Sequence, residues 1–336
     1  MNNIDIKNCR SFAPDDWIGY FLFISGQSSA NAFAHTIPAS TPDDLAAKVI
    51  NRLQKRKDSF VIYTLWIEKE CVGSIEISIP PSKNEELSHA YFLFKAHTNH
   101  LFTQQNNIAP LLKKICNEQQ LQKLRITCSD KNAQEILLKS GAKCLIHDII
   151  QYLTPENIDL LKITALIDSG RKILAENRLT LSFHHFFSEA ELDAYITFYN
   201  SIIGDIIVFD SENGELPLSK EIVLERYNYL KAYGGMPMYF ILTNDAGLIV
   251  ALTEVWHSHQ NTNTIDGGLT AVAKPYRKQG IALFLKSLMV KKVLELLPEL
   301  ELINTANSSI NYPILGVNSK LNFEQVSEEF ILEITG

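Results

Sequence analysis

The chain has 336 residues, 46% hydrophobic and 21% charged, which is enough for two globular domains with sizeable cores. A net charge of -7 argues against a nucleic-acid binder, and the Lys and Arg residues are too scattered to form a polybasic membrane anchor. The N-terminus, MNNIDIKNCRSF, lacks the basic and apolar regions of a signal peptide and no apolar run approaches the roughly 18 residues of a membrane span, so a soluble, cytoplasmic protein is expected.

The chain opens with a short strand near Ile4 to Ile6 and a helix from about Pro14 to Gly26. Thr41-Pro42-Asp43-Asp44 supplies an N-cap, a proline at the first helical position and acids in the first turn, which predicts a helix through about Lys55. Phe60 to Ile67 and Val72 to Ile79 are β-branched and aromatic runs joined by Glu68-Lys69-Glu70, the pattern of a hairpin. A strand at Ala90 to Phe94 leads to a helix around Ile108 to Cys116. Leu124 to Thr127, Asn132 to Lys139 and Cys144 to Tyr152 then read as strand, helix and strand. Cys9, Cys71, Cys116, Cys128 and Cys144 all fall in this half without metal-ligand spacing, so they read as reduced core residues.

Thr154-Pro155-Glu156 caps a predicted helix running to about Ala175. Beyond it the order of elements repeats: a strand at Leu179 to Phe183, a helix opened by the capping box Ser188-Glu189-Ala190-Glu191, and a second helix from Ser219 through Tyr229. Met238 to Leu242 and Leu248 to Val255 form a hairpin around Asn244-Asp245-Ala246-Gly247. A strand, turn and helix over 264–295, a strand at Leu300 to Thr305, a last helix and a final strand at Glu329 to Ile334 complete the copy. Matching orders indicate internal duplication, and residues support it: Asn107-Ile108-Ala109-Pro110-Leu111-Leu112-Lys113 aligns with Gly280-Ile281-Ala282-Leu283-Phe284-Leu285-Lys286. The expected domains are 1–153, a linker helix over 154–177, and 178–336. The fold class is α/β (α+β), each domain a mixed sheet flanked by helices.

Within 264–295, the join between strand and helix reads Arg277-Lys278-Gln279-Gly280-Ile281-Ala282. A helix start leaves amide N–H groups unpaired; Gly280 and Ala282 keep bulk away from them and Arg277 and Lys278 add positive charge, so the turn can hold a diphosphate. Arg277-x-x-Gly280-x-Ala282, after a strand ending Leu269-Thr270-Ala271-Val272, resembles the acyl-CoA-binding motif of the GNAT acetyltransferase superfamily. About 30 residues on, Thr305-Ala306-Asn307, Asn311 and Asn318-Ser319-Lys320-Leu321-Asn322-Phe323 are similar to that family's closing strand and helix. Asn322 stands where the family usually has Gly before Phe, and Asn tolerates the positive φ that position needs.

The resemblance implies a tandem GNAT protein with acetyl-CoA as co-substrate and a primary amine as acceptor, either a small molecule or a protein lysine or N-terminus. It implies cofactor contacts from Ala271, Val272, Arg277, Lys278, Gln279, Gly280, Ile281 and Ala282, with Asn307, Asn311 and Asn318 near the pantetheine. It also implies direct attack by a neutral amine on the thioester, for which a carboxylate must accept a proton. Glu254 and Asp266 are the two carboxylates in place; Glu254 also reads as a solvated strand position, and Asp266 as a residue shaping the turn at Gly267-Gly268. Many family members protonate the leaving thiolate with a tyrosine where this chain has Asn318, an amide that does not titrate, so delivery is through water, another group such as Tyr312 serves, or the enzyme does without it. Thr305, Asn307 and Asn311 also read as helix-capping residues, a role that fits Asn307 or Ser308 equally well. The first copy has Asn107 where the second has Gly280, offers no matching Arg, and has His97, Asn99, His100 and Phe102 upstream; it reads as degenerate and structural. His257 and His259 lack a third ligand at chelating spacing, so no metal is expected. The acidic loop 210–215 reads as a surface turn; the resemblance places it between two helices that border the acceptor groove, where it could recognise a cationic acceptor. The alternative is a non-catalytic GNAT-fold module that binds CoA or a protein partner.

Overall fold

The computed structural model describes residues 4–28, 60–78, 87–94, 108–119, 121–129, 131–203, 217–232, 234–257 and 263–335. The helix expected to end at Lys55, the stretch 97–107, the loop 210–215 and His259 lie outside them. The chain divides into two compact units, Met1–Asp148 with Ser327–Gly336, and Ile149–Val326.

The first unit contains β1 (Ile4–Asn8), α1 (Pro14–Ser28), β2 (Phe60–Ile67), β3 (Glu70–Ser78), β4 (Leu87–Phe94), α2 (Ile108–Gln119), β5 (Lys123–Cys128), α3 (Lys131–Lys139) and the start of β6 (Lys143–Leu153). β1 to β4 form an antiparallel meander, and β5 joins β4 in parallel after α2. Val61, Ile62, Ile75 and Ile77 of the hairpin bury against Tyr20 and Phe23 of α1 and Leu112 and Ile115 of α2. Cys9, Cys71, Cys116 and Cys128 are buried, and all five cysteines are unpaired.

The second unit begins with α4 (Leu160–Asn177) and continues through β7 (Thr180–His184), α5 (Glu189–Ile203), α6 (Lys220–Ala232), β8 (Met236–Thr243) and β9 (Ile249–His257). It closes with β10 (Thr264–Val272), α7 (Ile281–Leu296), β11 (Leu302–Ser308) and α8 (Tyr312–Lys320), ahead of β12 (Glu324–Thr335). The capping box is present: Glu191 accepts from the N–H and the hydroxyl of Ser188, each at 2.7 Å. Alternation along the strands separates two cores. Met238, Phe240 and Leu242 pack with Phe284, Leu285 and Met289 of α7, while Tyr239 and Ile241 pack with Tyr195 of α5 and Tyr227 of α6.

Two local readings need correction. Pro155–Asn157 is a separate 3-10 turn and Thr154 makes no side-chain cap. The helix starts after Asp159, whose carboxylate accepts the Lys162 N–H at 2.9 Å, and its Ile163 and Ile167 belong to the α7 core, so α4 is a packed layer of the second unit. The chain ends also differ from the expected boundaries. Residues 149–153 of β6 belong to the second unit and residues 327–335 of β12 to the first, where Phe330 to Thr335 pair antiparallel with Cys128 to Lys123 of β5. Phe330, Leu332 and Ile334 supply the apolar face that the first core lacks after β5.

Asn322 adopts φ 64, the left-handed turn that ends α8. Its amide donates to the Asn157 carbonyl at 3.1 Å and its Oδ1 accepts from Lys162 Nζ at 3.0 Å. We expect Asn322→Ala to lower stability by about 1–3 kcal/mol in urea denaturation, through backbone strain and a lost part-buried hydrogen bond. Asn322→Gly removes only the second contribution and should lie between; equal stabilities for all three would show that the turn bears no strain.

Candidate active site

β10 positions the site because its two edges differ. Toward β9 it is antiparallel with a register shift: Gly267 faces Val255 but Thr270 faces Thr253, so Gly268 and Leu269 form a bulge. Toward β11 the parallel ladder covers Thr264 to Asp266, opposite Leu302 to Asn304, and stops. A bulge bends its strand, and from Gly267 onward β10 has no ladder on that side. β4 in the first unit has no glycine and runs in unbroken register with β3, so it lacks the bulge, while its ladder to β5 covers Leu87 to Tyr91 and stops there.

The Ala273 N–H donates to the Val250 carbonyl at 2.8 Å. Backbone groups alternate along a strand, so Ala271 also turns its N–H and C=O to β9, whereas Thr270 and Val272 turn theirs to the opening. Of the strand residues expected to meet pantetheine, Val272 turns its backbone to the opening with its carbonyl already bonded to Arg277, Ala271 spends its groups on the sheet, and Thr270 faces the opening instead. Arg277 Nε donates to the Val272 carbonyl at 2.8 Å, tying the basic turn to the strand end.

After a 3-10 turn at Lys274–Tyr276 the chain is extended at Arg277, left-handed at Lys278 (φ 64), and left-handed again at Gly280 (φ 87), the N-cap of α7. The first bond inside the helix runs from the Phe284 N–H to the Gly280 carbonyl at 3.0 Å, leaving the amides of Ile281, Ala282 and Leu283 without a helical acceptor. Gly280 is demanded by its φ, since a Cβ there would meet only Ile173 Cδ1, at 3.4 Å. Gln279 caps locally, its amide 3.4 Å from the Pro275 carbonyl. The open strand edge and these amides fit an extended, phosphate-bearing ligand such as an acyl-CoA.

Glu254 of β9 is buried beneath the bulge, 4% exposed. Its Oε2 accepts from the Tyr195 hydroxyl at 2.8 Å and its Oε1 from the Leu269 N–H at 3.1 Å. Burial pushes the carboxyl above its ordinary range, and Leu269, Tyr195 and the charge of Arg226 pull it partly back. Arg226 lies over the Trp256 ring at 4.8 Å, and burial pushes the phenols of Tyr195 and Tyr239 upward, so both stay protonated and Tyr195 remains a donor to Glu254. Glu254 is thus not the solvated strand position its sequence also allowed. A Cβ on Gly268 would stand 2.6 Å from both Glu254 Cγ and Trp256 Nε1, which is why this position is glycine.

Asp266 lies within β10 at the last rung shared with β11, and is exposed. Burial of its surroundings raises its carboxyl, and the Asn304 amide, 3.2 Å away, lowers it. Asn307 sits in β11 with its amide on Thr305 Oγ1 at 3.2 Å, so it caps no helix; Asn311 occupies the α8 N-cap but makes no side-chain cap bond. Tyr312 is 73% exposed at the start of α8. Asn318 is fully buried, accepts from Lys286 Nζ at 2.6 Å and donates to Gln151 Oε1 at 2.8 Å. His257 is buried, and among the described residues no group of three or more His, Cys, Asp or Glu could hold a metal ion.

A cavity of about 20 Å³, room for roughly one water, lies under the bulge between Thr253, Glu254, Gly268, Thr270, Lys286 and Thr305. Tyr195, Thr270, Lys286 and Gln151 were not singled out from the sequence. Two signals pointed there: paired glycines inside a strand, which mark a bulge, and a lysine on the apolar face of α7 next to Leu285 and Met289.

No family model and no curated protein matches the sequence. Solved structures do. The chain is similar to a tandem GNAT protein from the clavulanic acid biosynthesis pathway over 99% of its own length and 98% of that chain, with a TM-score of 0.59 and 14% identity. The chain has the tandem GNAT fold. A GCN5-related N-acetyltransferase from Sphaerobacter thermophilus shares this fold at a TM-score of 0.61 and 9% identity, over 99% and 95% of the two chains. A GCN5-related glucosamine N-acetyltransferase region of a fungal multi-domain GH3 β-N-acetylglucosaminidase matches 99% of this chain and 38% of that one, at a TM-score of 0.54 and 11% identity. At these identities the likeness is one of fold, and the GNAT fold places the β10 opening and the α7 turn in one unit. Among the described residues no helix is long and apolar enough to cross a membrane.

Proposed function

We propose that the second unit is an acetyl-CoA-dependent N-acetyltransferase that transfers to a primary amine by direct attack, and that the first unit is its structural partner. The observation that carries this reading is the Glu254 carboxylate, buried and held at the bulge where β10 loses its ladder to β11. A base that removes a proton from an amine near neutral pH works best when its own affinity for protons is raised, and burial does that here. Acetyl-CoA, when bound, supplies the acetyl thioester. The amides at the start of α7 and the side chains of Arg277 and Lys278 hold its phosphates, the open backbone of Thr270 and Val272 orients the extended arm, and Glu254 takes the amine proton. The unbroken register of β4 against β3 in the first unit supports a structural role there, since β4 has no bulge on its described length, although its ladder to β5 also stops, at Tyr91.

Release of thiol from acetyl-CoA in the presence of small amines, aminoglycosides, aminoacyl compounds and lysine peptides tests the reading. Amine-dependent release is the expected result; tight CoA binding with no release to any amine leaves the non-catalytic module. Placement of the cofactor is tested separately by calorimetry. Gly280→Val forces a β-branched side chain to φ 87 and should weaken acetyl-CoA binding roughly tenfold, whereas Gly280→Asn should weaken it less, because Asn tolerates that backbone. Binding indifferent to Gly280→Val would remove the α7 turn from the site.

A further inference from the structure

Lys286 is a charged residue on the buried face of α7, 9% exposed, with no carboxylate within ion-pair distance among the described residues. Such a group is costly to keep unless it is used. Its ammonium is aimed: Nζ donates to Asn318 Oδ1 at 2.6 Å, Asn318 is fixed by its own bond to Gln151, and the Phe323 ring lies 5.0 Å below the charge. Lys286 also lines the cavity under the bulge together with Glu254, which enters from β9, and with Thr270, whose backbone faces the opening. Aminolysis of a thioester needs two proton transfers, one from the amine and one to the departing sulfur, so the reacting atoms must lie between a base and an acid.

Resting on the acetyltransferase reading above, we propose that Lys286 meets the thiol sulfur of the co-substrate and returns its proton, with Asn318 and Gln151 as positioning residues. The amine nitrogen forms its bond to the acetyl carbon and loses a proton to Glu254. The carbon–sulfur bond breaks with its electron pair on sulfur, and the Lys286 ammonium gives that sulfur a proton. The products are an amide and CoA thiol; neutral Lys286 and protonated Glu254 then exchange their proton through water, which restores both. Asn318, which cannot titrate, thus keeps a place at the sulfur by gripping a group that can. Burial lowers the Lys286 ammonium to about 8, close to the roughly 8.5 of an ordinary thiol, so it is charged at neutral pH and still gives up a proton readily. The groups that meet it from α8 and from the segment before β12 are Asn318 and Phe323, with Gln151 of β6 behind Asn318, and none of them titrates; Glu254 is the other titratable group lining the cavity.

Two measurements on the full chain decide it. In calorimetry near pH 8, where the lysine and the thiol share a single proton, the wild type should bind CoA about ten- to a hundredfold more tightly than desulfo-CoA, as expected for a charge-assisted contact between ammonium and thiolate, and Lys286→Met should bind the two equally. In the pH profile, wild-type kcat should fall above about pH 8, where the acid is lost, and Lys286→Met should lack that limb at a kcat lower by roughly 10²-fold or more. Asn318→Leu, which leaves Lys286 in the chain but unheld, should reproduce both changes in weaker form and serves if the Met variant folds poorly. A working wild type whose Lys286→Met variant keeps both the preference for CoA and the alkaline limb overturns this inference alone. A wild type that binds CoA but acetylates no amine overturns the proposed function, and the proton return with it.

Discussion

Glu254→Gln should lower kcat by roughly 10²- to 10⁴-fold, the usual contribution of a general base, with acetyl-CoA affinity nearly unchanged. The substitution keeps the shape: the Gln oxygen can accept from the Leu269 amide and its NH2 can donate to the Tyr195 oxygen once that hydroxyl turns, so loss of activity would report the missing base and not a collapsed site. The sign of the pH effect follows from burial. A base works only when ionised, and burial raises the Glu254 carboxyl, so the acidic limb of wild-type kcat should lie above the ordinary carboxylate value of about 4.3 and should vanish in the Gln variant. Asp266→Asn should change little, because Asp266 is exposed at the end of the β10–β11 ladder and bonded to Asn304. If Asp266→Asn abolishes turnover and Glu254→Gln does not, the roles are reversed. If neither matters, deprotonation is by solvent and the site works by positioning.

Gly268→Ala should cost nearly as much through geometry alone. The added methyl would stand 2.6 Å from Glu254 Cγ, 2.7 Å from Glu254 Oε1 and 2.6 Å from Trp256 Nε1, so the carboxylate or the indole must move. Displacement of a catalytic group by about 1 Å is enough for a rate loss on the order of 10²-fold, while the α7 turn, and with it acetyl-CoA affinity, stays as it was. Gly267→Ala is the control: its methyl would meet the Asn304 carbonyl at 3.0 Å and Thr305 at 3.1 Å, which strains the start of the opening but does not touch Glu254. A Gly268→Ala protein with wild-type kcat, or one whose crystal structure keeps Glu254 in place, would show that the bulge does not hold the base.

Much of the frame follows from short-range patterns. β-Branched and aromatic runs at 60–67 and 236–243 form hairpin strands, Ser188 and Glu191 cap a helix, and Asn322 takes the left-handed turn because its side chain tolerates that backbone. The repeat of element order across the two halves is likewise visible without coordinates, and so is the basic, glycine-containing turn before α7, since a helix start depends only on neighbouring residues. These features share one cause: each is decided within a few residues of chain, where local conformation and sequence spacing coincide.

The site needed the tertiary structure. Glu254 could have been a solvated strand residue until Tyr195, 59 positions earlier, was seen to bond it and the Leu269 amide to close over it. The exchange of Thr270 for Ala271 at the open edge depends on a one-residue register shift, and a bulge changes which backbone groups face out without changing any side chain. The Lys286–Asn318–Gln151 chain joins α7, α8 and β6 across sequence separations of 32 and 167, and the pairing of β12 with β5 joins segments about 200 residues apart. Sequence by itself determined the elements, the repeat of their order and the basic, glycine-containing turn before α7, because each element is decided locally. Which carboxylate is buried, which backbone is open and which lysine is aimed were decided by packing between segments far apart in the chain, where desolvation and close contact are set.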